Sequence, residues 1–135
     1  MAPKIKFKVV THEKVVFDSE VDAIYAPGTE GRFGVLPNHI PCIYPLKVGV
    51  TKAINGDKET CISTMGGIFR FSNNEAAILT DVAEMGCDID VMRANAAKER
   101  AEKRLAGKQS DIEILRAQLA LSKAIARINA SEKRF

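Results

Sequence analysis

Glu84-Met85-Gly86-Cys87-Asp88-Ile89-Asp90-Val91-Met92-Arg93-Ala94 marks a change in the physical character of the chain. Upstream, apolar and polar residues alternate and glycines punctuate the pattern. Downstream, residues 87–135 are rich in Ala, Lys, Glu and Arg and hold no proline and a single glycine, Gly107. A period near 2 belongs to half-buried strands and a period near 3.6 to amphipathic helices. The chain thus reads as a β module over residues 1–86 followed by a helical module over residues 87–135. Charge divides at the same point. The first module carries 9 basic and 10 acidic side chains, a net of −1, and the second carries 11 basic and 7 acidic, a net of +4.

Working upstream, Ile5, Phe7 and Val9 alternate with Lys4, Lys6 and Lys8, which predicts a strand with one apolar and one cationic face. Lys14 to Phe17 and Val21 to Tyr25 read as further strands separated by polar turn residues. Pro27-Gly28-Thr29-Glu30-Gly31 reads as a stop to the sheet, followed by a loop. Asn55-Gly56 lies between the alternating segments Val48 to Ile54 and Thr60 to Thr64, the pattern of a tight hairpin. Ile68 to Phe71 and Ala76 to Val82 join through Ser72-Asn73-Asn74. Many short strands without intervening helices predict an antiparallel sandwich or barrel.

Working downstream, Asp88 is the expected cap of a first helix whose Ile89, Met92, Ala96 and Leu105 share a face. Gly107 ends that helix. Ser110-Asp111-Ile112-Glu113 has the capping-box pattern and opens a second, with Ile112, Leu115, Leu119 and Ala126 in one stripe. The short connection at 107–110 makes the two helices an antiparallel hairpin. Ala94, Ala96, Ala97, Ala101, Ala117, Ala120, Ala124 and Ala126 keep much of its surface small, so modest, reversible contact energies should hold it. The fold class expected is therefore α+β, an N-terminal antiparallel β-sandwich followed by a C-terminal antiparallel two-helix hairpin.

Composition narrows the function. A chain of 135 residues has room for one core of roughly 85 residues and an appendage. Cys42, Cys61 and Cys87 form an odd, scattered set without CxxC or metal spacing, and read as free thiols of a reducing compartment. The opening MAPKIKFKVV lacks the apolar stretch of a signal peptide, and no window approaches the ~20 apolar residues of a membrane span. A net charge of +3, with mixed signs on the helices and no interleaved aromatics, argues against nucleic-acid binding. His12 and His39 are the only histidines, and no HExxH, GxSxG or Walker-type loop occurs, so no catalytic constellation is expected. Gly66-Gly67 reads as a turn or bulge rather than a phosphate cradle. His39, in Asn38-His39-Ile40-Pro41, reads as a subunit contact or a satisfied loop group.

The cationic residues of the helices carry more. Arg93 and Arg100 share one helical face, as do Arg116, Lys123 and Arg127 on the second helix. Folding the hairpin about 107–110 brings Arg93 opposite Arg127 and residue 97 opposite Lys123, with Glu84 and Asp90 near the same end. Arginine forks beside carboxylates can grip a phosphate and accept the amino or hydroxyl donors of a nucleotide. A solvated face or an acidic protein partner satisfies the same stripes.

Gly31-Arg32-Phe33-Gly34-Val35-Leu36-Pro37-Asn38-His39-Ile40-Pro41, then Gly66-Gly67-Ile68-Phe69, then Asp88-Ile89-Asp90-Val91-Met92-Arg93-Ala94, resemble in order and spacing the epsilon subunit of bacterial F-type ATP synthases. The resemblance implies a ten-stranded sandwich that clamps the gamma subunit and rests on the c-subunit ring as part of the rotor. It implies two helices that either lie on the sandwich or extend along gamma toward the beta subunits and inhibit ATP hydrolysis. It further implies no active site of the chain's own. The place implied is peripheral, at the cytoplasmic face of the bacterial plasma membrane, in contact with it only through the c ring.

Ile89 to Ala94 is similar to the signature of ATP-binding epsilon subunits of the bacillus type. By position, Glu84, Asp90, Arg93, Arg100 and Arg127 keep the functional residue types for ATP, with or without magnesium, as a regulatory ligand. Lys123 stands where those relatives usually have arginine. Arg32 stands where several relatives have an acidic or amide residue facing the c ring. Arg32, His39, Arg116, Lys123 and Arg127 are the implied partner contacts. A purely structural rotor subunit, with no ATP-dependent switch, is the alternative.

Overall fold

The computed structural model describes residues 3–107 and 110–135. Met1 and Ala2 of the opening segment, and Lys108 and Gln109 of the expected hairpin turn, lie outside the described residues. Eight strands are followed by a 3-10 turn and two helices: β1 Ile5–Val10, β2 Val15–Val21, β3 Ala23–Gly28, β4 Gly31–Val35, β5 Cys42–Asn55, β6 Lys58–Ser72, β7 Glu75–Leu79, β8 Ala83–Met85, the turn Gly86–Asp88, α1 Val91–Ala106 and α2 Asp111–Ser131. The strands hydrogen-bond in the order β2-β1-β7-β6-β5-β3-β4, with β8 on the free flank of β6. All ladders are antiparallel except β1 with β7, which run parallel.

The sheet becomes a sandwich because β5 and β6 are long and bend together. Their pairing skips between Leu46/Gly67 and Val48/Met65. Gly66 and Gly67 have φ of +82° and +117° there, dihedrals that glycine alone adopts cheaply. The first half of β5 and second half of β6 sit in one layer with β7, β1 and β2. The other halves sit in the second layer with β8, β3 and β4. Counted by halves, the layers recover the ten strands that the family resemblance implies. Ile5, Phe7, Val9, Phe69, Phe71 and Ile78 from one layer meet Ile24, Val35, Ala53 and Ile62 from the other in a single core. Phe33 of β4 packs edge-on against Phe69 at 5.1 Å.

Three strand expectations are corrected. Asp18, Ser19 and Glu20 are not a turn but the middle of β2, where Asp18 faces Lys8 and Glu20 faces Lys6 across the ladder, an opposite-charge pairing that suits a strand. Pro27 and Gly28 do not stop the sheet, because Pro27 falls where the β3–β5 register slips and its missing N–H leaves no gap. Gly31 to Val35, read as loop, is β4, paired with β3 around Thr29-Glu30. The Asn-Gly hairpin is present, and Ser72 ends β6 before a turn at Asn73-Asn74, whose φ are 51° and 58°.

The helices are also re-registered. Asp90, not Asp88, caps α1: its carboxylate accepts from Arg93 N at 3.1 Å. Ile89 sets this register, because it is buried with Val50, Cys61, Ala94, Ile128 and Ala130 and keeps the backbone extended one step further. Met92 and Ala96 therefore point to solvent, and the buried face of α1 is Ala94 and Ala101. Ser110 caps α2 as expected, accepting from Glu113 N at 3.3 Å. Its apolar stripe is rotated, however: Ile112 and Leu115 are each 64% exposed and Leu119 is exposed, while Ala117, Ala124, Ala126, Ile128 and Ala130 are buried. Alanines win that face because small residues let α1, α2 and the sheet approach closely. Gly86 serves the same approach, since a Cβ there would overlap Ala130 O of α2.

Candidate functional site

α2 lies across the outer face of the second layer, over Val50 and Cys61, and α1 packs on α2. Where β8, the 3-10 turn and both helices meet, a cleft of about 460 Å³ opens, lined by Glu84, Asp88, Ile89, Asp90, Arg93, Ala94, Ala97, Arg100 and Arg127. Small-molecule pockets span roughly 300–1,000 Å³, so the space suits a ligand of nucleotide size. Five of the six residues expected at a ligand site converge here. β8 supplies Glu84, the cap of α1 supplies Asp90, successive turns of α1 supply Arg93 and Arg100, and α2 supplies Arg127. The opposition of Arg93 and Arg127 follows from the antiparallel hairpin.

Lys123 is the exception: it is half-buried on α2 and does not line the cleft, where Ala97 opposite it does. Asp88 is an additional lining residue that the sequence reading assigned to a helix cap. Its signal was its place two residues before Asp90 in Asp88-Ile89-Asp90.

Electrostatically the cleft is mixed. Arg127 Nε donates to Glu84 Oε1 at 2.7 Å, a partly buried ion pair that ties α2 to β8 without any ligand. The Asp90 carboxylate is engaged by the first turn of α1. Among the described residues, Arg93 and Arg100 make no salt bridge, so their guanidinium groups are the cations available to an anion. The lining thus offers two unengaged forks for phosphate oxygens and three carboxylates as acceptors for N–H or O–H donors. No cluster of three potential metal ligands is found among the described residues.

The expected partner contacts are dispersed. Arg116 is near the hairpin turn in a separate cleft with Arg104, Glu113 and Ala117. His39 Nδ1 donates to Ile40 O at 2.7 Å and its ring stands edge-on to Phe71. Arg32, at the end of β4, donates to Val50 O at 2.8 Å and lies under the ring of Phe135, beside α2. Burial pulls its guanidinium pKa down. The cysteines are unpaired, and burial pushes the thiol pKa of Cys61 and of Cys42 up.

One exposed surface went unread in the sequence. The outer face of the first layer is free of the helices, and strand pairing aligns Val10, Leu79, Ile68 and Pro45 in one row with Ile43 two positions away. Ile43 is 66% exposed, and Leu79 and Ile68 are exposed beside it. An apolar row on an open sheet face marks an interaction surface. No helix among the described residues is long and apolar enough to cross a membrane.

Comparison with known proteins gives the same two-part division. Residues 4–86 match the beta-sandwich domain of the ATP synthase Delta/Epsilon chain, and residues 88–132 match its long alpha-helix domain. The ATP synthase epsilon chain of Syntrophobacter fumaroxidans is 47% identical over 133 residues, covering 98% of this chain and 99% of that one. That of Desulforamulus reducens is 46% identical over 132 residues, covering 98% and 100%. Among solved structures, a chain of the Euglena gracilis mitochondrial ATP synthase, described as OSCP/F1/c-ring in rotational state 1, superposes with a TM-score of 0.80 at 20% identity, covering 96% of this chain and 80% of that one. A chain of the Tetrahymena thermophila mitochondrial ATP synthase central stalk and c ring gives 0.63 at 14% identity, covering 96% and 97%. These two likenesses show the fold.

Proposed function

Since the chain belongs to the ATP synthase Delta/Epsilon chain family through both its sandwich and its helices, we propose that it serves as the non-catalytic epsilon subunit of a proton-translocating F-type ATP synthase, with a helical pair that acts as a nucleotide-sensitive brake on ATP hydrolysis. The observation that carries the brake is the cleft: Glu84, Asp90, Arg93, Arg100 and Arg127 come from three elements and meet only while the helices lie on the sandwich. ATP bound there bridges both helices and β8 and favours the docked form, by no more than its difference in affinity for the two forms. Phosphates go to Arg93 and Arg100, and the carboxylates accept donors of the base or sugar. Magnesium, where present, arrives with the phosphates.

The exposed row Val10, Leu79, Ile68 and Pro45 gives the sandwich a surface on which to seat gamma, leaving the far end for the c ring. The relatives' place in central-stalk and c-ring assemblies supports that arrangement. The chain then sits peripherally at the cytoplasmic face of the membrane, touching it through the ring. Ile112, Leu115 and Leu119 are already exposed in the docked pair and, with Arg116 and Lys123, meet gamma and acidic segments of the beta subunits once the helices leave.

Deleting residues 88–135 from the reconstituted complex should raise its ATP hydrolysis; unchanged hydrolysis removes the brake. Calorimetry on the full chain should show ATP binding that weakens about ten- to hundredfold in Arg93→Ala, the loss expected for charge-assisted hydrogen bonds worth ~1.5–3 kcal/mol. A chain that binds no ATP removes the ligand. A second reading, a purely structural subunit, is favoured by the Glu84–Arg127 pair, which fastens α2 to the sandwich unaided. Equal hydrolysis by full-length and helix-deleted complexes would select it.

A further inference from the structure

The residues after α2 reverse direction tightly. Glu132 N donates to Ile128 O at 3.1 Å, Lys133 N to Ala130 O at 3.2 Å and Arg134 N to Asn129 O at 2.8 Å, with Lys133 at φ 58°. This is a Schellman-type helix end, with lysine in the left-handed conformation usually left to glycine. The reversal brings Phe135 back onto the sandwich. Its ring centroid lies 3.5 Å from Arg32 Cζ and 4.0 Å from Lys52 Nζ, and Asn129 Nδ2 donates to Phe135 O at 3.2 Å.

Both cations are anchored to the sheet. Arg32 donates to Val50 O, and Lys52 pairs with Glu59 at 2.9 Å. Phe135 is the only aromatic residue after Phe71. It remains 51% exposed, so burial holds only about half of the residue, while two positive charges lie against its ring. The contact lies on the flank of α2 that carries Ser122, Ile125 and Asn129, whereas Arg127 faces the cleft on the other flank. α2 is thus gripped from both sides.

We propose that Phe135 is a clasp: its ring, set against Arg32 and Lys52, fastens the helical pair to the sandwich independently of any nucleotide. This rests on the reading of the helices as able to leave the sandwich, but not on ATP as the trigger. Arg32 is also the residue that the family resemblance places at the c-ring contact, so the clasp and a partner at that edge draw on one guanidinium. A partner that withdraws Arg32 loosens the helices, and docked helices weaken that partner by the same factor.

Amide hydrogen exchange on the full-length, nucleotide-free chain tests the clasp, with β1 and β7 as internal controls of an intact sandwich. Exchange over 117–131 should rise about fivefold in both Phe135→Ala and Phe135→Leu and stay near wild type in Phe135→Tyr, as expected for an exposed cation–π contact. Arg32→Met should accelerate exchange in the wild-type background and add little in Phe135→Leu. Wild-type exchange in Phe135→Leu would reduce the ring to an apolar cover and overturn the clasp, as would unchanged exchange in Phe135→Ala. Repeating the series with ATP separates the two ideas. Helices loosened by Phe135→Leu that ATP fails to slow keep the clasp and remove the ligand; helices slowed by ATP but indifferent to Phe135 do the reverse.

Discussion

At Gly67 an added Cβ would overlap Leu79 O while the backbone holds φ +117°, so Gly67→Ala strains the bend that turns one sheet into two layers. A loss of about 2–4 kcal/mol is expected, seen as a lower urea midpoint at unchanged m value; an unchanged midpoint would show that the bend does not depend on glycine. Charge acts locally at Asp22. Its carboxylate accepts from Gly56 N at 2.7 Å and meets Lys4 Nζ at 3.0 Å, and the backbone hydrogen bond first, then the lysine, hold its pKa below the ordinary value. Glu59 is lowered likewise, chiefly by Lys52. A folded value below the unfolded one means stabilisation that is present above about pH 4 and is lost as pH falls through the lowered folded value. Urea denaturation from pH 7 to pH 3 should therefore show a shallower acid loss in Asp22→Asn, and equal slopes in the two proteins would contradict it. The cleft residues were legible because helical spacing and hairpin folding are both periodic. The contacts of Arg32 and Phe135 were not, because residues a hundred positions apart, outside any shared repeat, leave no pattern to read.

Elements follow the same division. The lysine-alternating β1, the Asn-Gly hairpin and the Ser110 cap were readable because each rests on contacts within a few residues. The bend in β5 and β6, the edge strand β4 and the rotation of the helix faces depend on what lies opposite. Sequence periodicity located the large residues Ile112, Leu115 and Leu119, but tertiary packing chose the alanine face because α2 must approach both α1 and the sheet. Two substitutions distinguish the faces. Ala124→Leu, in a fully buried position, should cost about 1–3 kcal/mol by overpacking. Leu115→Ser, on the exposed face, should leave stability within about 0.5 kcal/mol, yet weaken inhibition of hydrolysis in the assembled complex. Chemical denaturation of the isolated chain and a hydrolysis assay of the complex measure the two effects; a large stability loss in Leu115→Ser would place that face against the sandwich after all.

For the whole molecule, a sandwich with a large core carries a helical pair packed on it through a smaller apolar cluster. The sandwich buries a continuous aromatic and aliphatic core, whereas the helical pair is held by alanines, Ile128, one partly buried ion pair and the ring of Phe135. On the proposed function, a ligand of moderate affinity suffices to shift the balance, since a hundredfold preference for the docked form already amounts to ~2.7 kcal/mol. Under the same proposal, the positive charge concentrated on the helices serves both states: it meets phosphate in the docked form and acidic partner segments in the released one. The most direct test is the distance between a probe on β1 and a probe on α1, followed as ATP is titrated into the assembled complex. A short distance that becomes more populated as ATP rises, and that no longer responds in Arg93→Ala, is the expected outcome. A distance that stays the same at every ATP concentration would mean that the helices are fixed and that the chain only couples its neighbours.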